Sequence, residues 1–318
     1  MRDDDWRPTC SIDALVERAQ TLAAIRSFFA QRGVLEVDTP VLSATTVTEP
    51  AIESFSVVDG SERWYLQTSP EYQMKRMIAA GAPSIVRIGP VFRAEESGRL
   101  HNPEFTMVEW YRLGFDLAQL IGEVEALLDL VLGKSGYRHL TYRQLLDEGA
   151  SVDPFADSDA ELNEALTGIG VELSPNASAS RRDILDLLVA HAIDAIGDGR
   201  VFITDYPDDQ AALARIETDA EGRRVAKRFE LIVDGIEIAN GYDELVDADV
   251  LARRMSEDQS IRVRAGRSGP AADERLLAAM RSGLPSCSGV ALGFDRLMML
   301  KLGVARIDAA MPFGISRA

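Results

Sequence analysis

From Ser11 to Gly33, apolar residues recur at helical spacing: Ile12, Leu15, Val16, Ala19, Leu22, Ala23 and Phe29. That period predicts a long amphipathic helix, with Ser11 as its N-cap and Gly33 as its stop. VLEVDTPVL, residues 34–42, reads as extended chain and is closed by Pro40, which cannot sit inside a central strand. RWYLQTSPEYQMKRMIAAG predicts a strand, a turn at Ser69–Pro70 and a helix running to Gly81. Residues 114–135 predict another helix. From about 140 to 200 the chain turns acidic and Ala/Leu-rich and includes SPNASAS, the pattern of a helical insertion with a flexible link. Strands return in RVFITDYP and in AKRFELIVDGIEIANGYDEL. They are followed by a basic loop, RVRAGRSG, a helix near 271–282, and GVALGFDRLMMLKLG. Long helices packed on antiparallel hairpins predict an α+β architecture.

Composition narrows this picture. A chain of 318 residues with 46% apolar content has enough core for one large domain or two smaller ones. No apolar run approaches the ~20 residues of a membrane helix, and the acidic N-terminus lacks the apolar stretch of a secretory signal. Two cysteines, Cys10 and Cys287, make no disulfide framework and suit a reducing cytoplasm. A net charge of −17 disfavours nonspecific binding to nucleic acid or anionic lipid. An anionic substrate would then need a local basic groove or a metal.

Three segments concentrate the chemistry. In VFRAEESGRLHNPEFTMVEWYR, residues 91–112, strand alternation puts Arg93 and Glu95 on one face of the incoming strand. It puts Phe105, Met107, Glu109 and Tyr111 on one face of the outgoing strand, with Thr106, Val108 and Trp110 on the other. The first set predicts a polar and aromatic pocket floor, with Arg99 and His101 at its rim. In the second segment Asp234–Gly235 predicts a two-residue hairpin turn. Its register opposes Val233 to Ile236, Ile232 to Glu237 and Glu230 to Ala239, which brings Glu230 and Glu237 diagonally together. Two carboxylates on one sheet face suit a hard cation such as Mg²⁺, and Glu244 is in reach of the same pocket. In the third segment Gly289 and Gly293 interrupt an apolar strand, a sign of close approach by backbone or ligand. Arg296 falls in the first turn of the next helix, where a cation opposes the helix dipole and so points to an external partner. Two features read as structural. LGKSG, residues 132–136, lacks the first glycine of a phosphate loop and reads as a helix end. His191 shares a helix face with Ile184, Leu188 and Ala195 and reads as a packed histidine.

These segments resemble the signature motifs of class II aminoacyl-tRNA synthetases. The first helix with VLEVDTPVL is similar to motif 1, FRAEESGRLHNPEF to motif 2 and GVALGFDR to motif 3. TSPEYQMKR, HNPEFTMVEWY and GIEIANGYDEL resemble lysyl-tRNA synthetase. Two departures point to a narrower relationship. Motif 1 begins too early to leave room for the OB-type anticodon-binding domain, and Ala291 stands where those synthetases carry glycine. With CSGVALG, both features resemble the stand-alone elongation factor P β-lysine ligase family. Ala94, where that family usually has asparagine, and Asp243, where a small polar residue or histidine is common, depart from its pattern.

The resemblance implies a single class II catalytic domain over residues 1–318: an antiparallel sheet flanked by helices, with the insertion at about 140–200. It implies ATP-dependent activation of (R)-β-lysine or lysine and transfer to a lysine of elongation factor P, with Mg²⁺, in the cytoplasm. It also implies a homodimer formed around Pro40. Arg93 would hold the α-phosphate and the reacting carboxylate, Glu95 would read the adenine amino group, and Ala94 would belong to the ATP site. Phe105 and Arg296 would stack on the two sides of that ring. Arg99, His101 and Asn102 would organise the triphosphate, and Ile238 and Gly293 would contact ATP. Glu230 and Glu237 would hold Mg²⁺, Glu237 touching ATP as well. Ser69, Pro70, Glu71, Glu109, Tyr111, Glu244 and Ala291 would line the amino-acid pocket. A truncated synthetase acting on tRNA or a small molecule, or a catalytically silent paralogue, are the other readings. The absent domain and the negative charge speak against tRNA, and the complete charged set speaks against silence.

Overall fold

The computed structural model describes residues 6–171 and 180–318. Of the predicted SPNASAS link, all but Ser180 lies outside the described residues. The chain forms two compact units, Met1–Lys134 with Leu245–Ala318, and Ser135–Glu244.

In the first unit helix α1 spans Ile12–Gln31, and the Ser11 hydroxyl accepts from the Ala14 amide at 3.1 Å. Gly33, at φ +66°, ends it as predicted. The buried face is not the predicted one. It comprises Ala14, Arg18, Thr21, Ile25, Phe28 and Phe29, whereas Ile12 and Val16 are 66% and 50% exposed. The reason is that Arg18 has buried acceptors that satisfy it inside, so apolarity alone misreads which side faces inward. Strands β1 (Leu35–Glu36) and β2 (Leu42–Ser43) flank Pro40. Strands β3 (Ser56–Asp59) and β4 (Glu62–Leu66) join β2 in a small sheet of order β2-β4-β3. Helix α2 (Glu71–Ala79) follows the Ser69–Pro70 turn, where the Ser69 hydroxyl accepts from the Glu71 amide at 3.0 Å.

Strands β5 (Ile85–Phe92) and β6 (Glu104–Leu113) are the arms of the predicted hairpin. Behind β6, Trp110 is fully buried, 5.1 Å from the Phe29 ring, and its indole N–H donates to Glu123 of helix α3 (Leu117–Leu132). A reciprocal Asp116–Gln119 capping box starts α3, and Gly133, at φ +83°, ends it. LGKSG is therefore a helix end.

The second unit opens with β7 (Tyr137–Thr141), α4 (Tyr142–Ala150), α5 (Asp159–Gly168) and α6 (Arg181–Ile196). Thr141, Ser158 and Ser180 each build a capping box at the start of one of these helices. His191 is half-buried on α6, whose buried face runs Ile184, Leu185, Leu188 and Ala192 rather than through Ala195. Strands β8 (Arg200–Pro207), β9 (Ile216–Thr218), β10 (Arg224–Val233) and β11 (Ile236–Asp243) follow. The order is β11-β10-β8-β7, with β9 also on β10; among these described strands the β7–β8 pair is parallel and the others are antiparallel. The core gathers Leu145, Leu188, Ile203 and Ile232.

The β10–β11 turn has the predicted form. Asp234 and Gly235 both have positive φ, +49° and +74°, as a type I′ turn requires. Val233–Ile236 and Ile232–Glu237 pair as expected. A bulge then shifts the register, so Glu230 opposes Asn240 and Leu231 opposes Ala239. One extra residue on a strand produces this shift and restores the face two positions on; Glu230 and Glu237 still share a side.

The chain returns to the first unit with α7 (Ala248–Arg264), α8 (Glu274–Arg281), β12 (Cys287–Gly293) and α9 (Phe294–Leu302). The sheet there has the order β1-β5-β6-β12, antiparallel except for β1–β5. RVRAGRSG is only partly a loop, because it begins inside α7. Arg262 is buried, donating to the Glu49, Ile52 and Ser268 carbonyls and to Glu53 at 2.5 Å. It ties segments together rather than offering charge at the surface.

Candidate active site

Antiparallel register places cross-strand partners on the same side of a sheet. Arg87, Glu109 and Ala291 form one such row, Gly89, Met107 and Gly293 the next, and Val91 with Phe105 a third; Ile85, Tyr111 and Gly289 lie at the other end. The predicted alternation of β6 is therefore present, and Ala291 and Gly293 stand on the same floor as Glu109 and Phe105. Gly89 makes room for a neighbouring side chain here. A Cβ on it would meet the Arg87 guanidinium at 3.0 Å, and that guanidinium donates to the Pro90 carbonyl.

One end of the floor is a carboxylate pocket. Glu109 is 2% exposed and accepts from the Ser69 hydroxyl and the Tyr111 phenol, each at 2.8 Å. Burial, reinforced by the nearby Glu71 charge, pushes its carboxyl up to about 7. Glu71 accepts from Lys75 at 2.6 Å, one helical turn along α2, and Lys75 is 1% exposed. Pro70 is the N-cap of α2 and brings Glu71 to the pocket. A buried cluster with two carboxylates, a hydroxyl and a phenol is suited to an ammonium group.

The other end is built by the loop between β5 and β6. β5 stops at Phe92, so Arg93 and Glu95 do not follow strand alternation. Ala94 instead makes an isolated bridge to Glu53, and Glu95 has φ +65° and is exposed. Left-handed backbone at a non-glycine residue is strained and concentrates at functional sites. The Arg93 guanidinium lies 5.2 Å from the Phe105 ring centre and 3.6 Å from Glu96, and its buried Nε has no hydrogen-bond partner among the described residues. A buried donor left over in this way fits an oxyanion. Arg296, in the first turn of α9, contacts His101 Nε2 at 2.6 Å and donates to the Leu100 carbonyl. Burial, then the Arg296 charge, lowers the His101 pKa, which keeps the imidazole neutral and able to accept. Arg99 is exposed. Asn102 differs from its neighbours: its amide donates to the Glu104 carbonyl and accepts from the Ile315 amide, so it holds the loop to the C-terminal segment.

In the second unit Glu230, Glu237, Asn240 and Arg228 share a hairpin face. Glu230 accepts from Arg228 and from Asn240, and Arg228 sits 4.4 Å from the Tyr206 ring. Burial pushes the Glu230 carboxyl up against the pull of Arg228. Two carboxylates, one already shared with an arginine, fit a Mg²⁺ that arrives on phosphates; among the described residues no cluster of three metal-ligating side chains is found. Ile238 and Glu244 are each 2% exposed, and Glu244 forms a backbone bridge with Ala214. Asp243, the departure noted in the sequence, is buried and accepts from Arg215 Nη2 at 2.7 Å and Nε at 3.2 Å.

Lys75, Arg87, Arg228 and Asp295 were not picked out from the sequence. Lys75 carried a signal, since it stands four residues after Glu71 on one helix. Arg87 carried one too, through its parity with the floor row.

The whole chain can be placed among known proteins. The family model for tRNA synthetases class II (D, K and N) matches residues 5–317. An elongation factor P–(R)-β-lysine ligase of Vibrio parahaemolyticus is 43% identical over 98% of this chain and 99% of its own. Proteins of the same name from Vibrio vulnificus and Avibacterium paragallinarum are 44% and 42% identical, covering 98% and 100% of this chain and 99% and 100% of theirs. The chain belongs to the elongation factor P–(R)-β-lysine ligase family of class II synthetase-like proteins. The two positions expected to depart from the ligase family's pattern are accommodated locally. Ala94 contributes backbone to the Glu53 bridge, and Asp243 is neutralised by Arg215.

Proposed function

We propose that this chain activates (R)-β-lysine, or lysine, with ATP and transfers the acyl group to a lysine side chain of elongation factor P. The observation that carries this reading is the single sheet face bearing both the Ser69–Glu109–Tyr111 carboxylate pocket and Phe105, in a chain matched end to end by ligases of that name.

The pocket of Ser69, Glu71, Glu109, Tyr111 and Ala291 receives the ammonium of the substrate, and Glu244 is a further candidate for recognising the amino acid. Phe105 and Arg296 flank the adenine, Glu95 reads its amino group, and Arg93 turns its spare donor to the α-phosphate and the reacting carboxylate. Arg99 and His101 meet the remaining phosphates, while Asn102 keeps their loop in place. Glu230 and Glu237 are the ligands proposed for Mg²⁺, whose chemistry when bound is neutralisation of phosphate charge. A carboxylate oxygen of the substrate attacks the α-phosphorus, the bond from that phosphorus to the α,β-bridging oxygen breaks, and pyrophosphate leaves with the electron pair. The neutral Nζ of the acceptor lysine then attacks the acyl carbon, AMP leaves, and the amide nitrogen loses its extra proton. No protein nucleophile is needed; positioning and charge stabilisation supply the acceleration.

The exposed Ile12 and Val16 on α1, with Leu35 and Leu42 around Pro40, support a homodimer formed through that surface. A translation factor as acceptor places the reaction in the cytoplasm. The test is intact mass of elongation factor P incubated with ATP and each lysine isomer. A gain of one lysyl unit, lost when the acceptor lysine is replaced, supports the reading. Charging of tRNA with no mass change on the protein overturns it.

A further inference from the structure

We infer that Asp295, held by Arg18, is the positioning residue that fixes the spacing of the two groups gripping the adenine, Phe105 and Arg296. The inference rests on the adenine assignment made above. Asp295 is 1% exposed and its two oxygens serve two different elements. Oδ2 accepts the backbone N–H of Thr106 at 2.6 Å, so it is bonded to the residue that follows Phe105 on β6. Asp295 itself immediately precedes Arg296 on α9. One carboxylate therefore joins the strand that carries one jaw to the helix that carries the other. Oδ1 accepts from Arg18 of α1 at 2.5 Å.

Arg18 completes the joint. Its Nη2 donates to the Thr106 hydroxyl at 2.9 Å, its Nη1 also reaches the Ala310 carbonyl at 3.2 Å, and its guanidinium lies 4.7 Å from the Phe294 ring. The amide and the hydroxyl of Thr106 are thus bound by the two members of one ion pair. An apolar residue could fill the same volume but could not fix the distance between strand and helix. A displacement of about 1 Å in a binding group can cost roughly 10²-fold in rate, so a supporting shell with this connectivity has functional weight.

The experiment compares two double variants with the unaltered chain, because removing one charge alone would leave the other buried and alone. Arg18→Met with Asp295→Leu removes both the pair and the Thr106 acceptor. Arg18→Met with Asp295→Asn removes the pair and restores an acceptor of the same shape; it is also the variant more compatible with folding. ATP affinity is read by calorimetry, KM for ATP and for lysine by lysine-dependent pyrophosphate release, and phosphate binding by inhibition with tripolyphosphate. The leucine variant is expected to weaken ATP by about tenfold or more, with KM for lysine and tripolyphosphate inhibition changed by less than about twofold. The asparagine variant should recover most of the ATP affinity. Equal losses for ATP, lysine and tripolyphosphate, or an asparagine variant that folds and binds ATP no better than the leucine one, would overturn the proposal. So would unchanged ATP affinity in both. A chain that binds ATP but releases no lysine-dependent pyrophosphate contradicts the ligase reading instead, and the calorimetric comparison still decides the role of the pair.

Discussion

The Ser69 hydroxyl donates to the Glu109 carboxylate at 2.8 Å, joining the turn before α2 to the middle of β6. With the Tyr111 phenol on its other oxygen, Glu109 is positioned while its burial favours the protonated form. Its neighbours include the charges of Glu71, Lys75 and Arg87. An arriving ammonium needs the carboxylate, so substrate binding should release a proton. KM for lysine is expected to fall as pH rises from 6 to 8 and to level off above the value of about 7. Because the folded-state pKa is raised, the group favours the fold at low pH, and apo stability should decline as pH passes through about 7. Glu109→Gln should raise KM for lysine and remove both pH dependences. Initial rates and melting curves across that range check it; a slope retained in the glutamine variant assigns the titration elsewhere.

Arg93→Ala should lose adenylate formation by about 10²–10³-fold, the usual cost of one donor to a developing oxyanion. Among the described residues its Nε makes no hydrogen bond for the fold to miss, so the melting temperature should stay near that of the unaltered chain. Lysine-dependent pyrophosphate release and a melting curve measure the two effects separately.

Glu244→Gln should raise KM for lysine by about 10²-fold or more, since a buried charge that loses its partner costs about 3–5 kcal/mol. KM for ATP should change little. The reverse pattern in steady-state kinetics would make Glu244 a metal ligand rather than an amino-acid-binding residue.

Val16→Asp places a charge on the exposed face of α1, at a residue half-exposed in the single chain. Sedimentation at micromolar concentration should show a dimer for the unaltered protein and a monomer for the variant. A dimer retained by both would put the interface on another surface.

Element types were largely readable because caps, turns and strand alternation are local chemistry. The Ser11 cap, the Asp234–Gly235 turn and the alternation of β6 all stand as the residues predict. The failures lie where tertiary partners decide. The inward face of α1 depends on Asp295 and Thr106, distant in sequence, which make a buried Arg18 acceptable. The bulge in β11 and the left-handed Glu95 are backbone events without a residue signature of their own. In the site, Phe105, Glu109 and Tyr111 were readable from parity. Asp295 was hidden because a carboxylate in the first turn of a helix reads as an ordinary partner of the dipole.

The Arg215–Asp243 pair also bears on how this sequence can be recombined. Asp243 lies in the strand that leads into Glu244, while Arg215 lies in a separate segment twenty-eight positions earlier. A chimaera that took only the later segment into a relative lacking the arginine would inherit a buried carboxylate with nothing to neutralise it. The two positions should therefore be transferred together, and crossover points for shuffling this chain with its relatives belong outside the stretch between them.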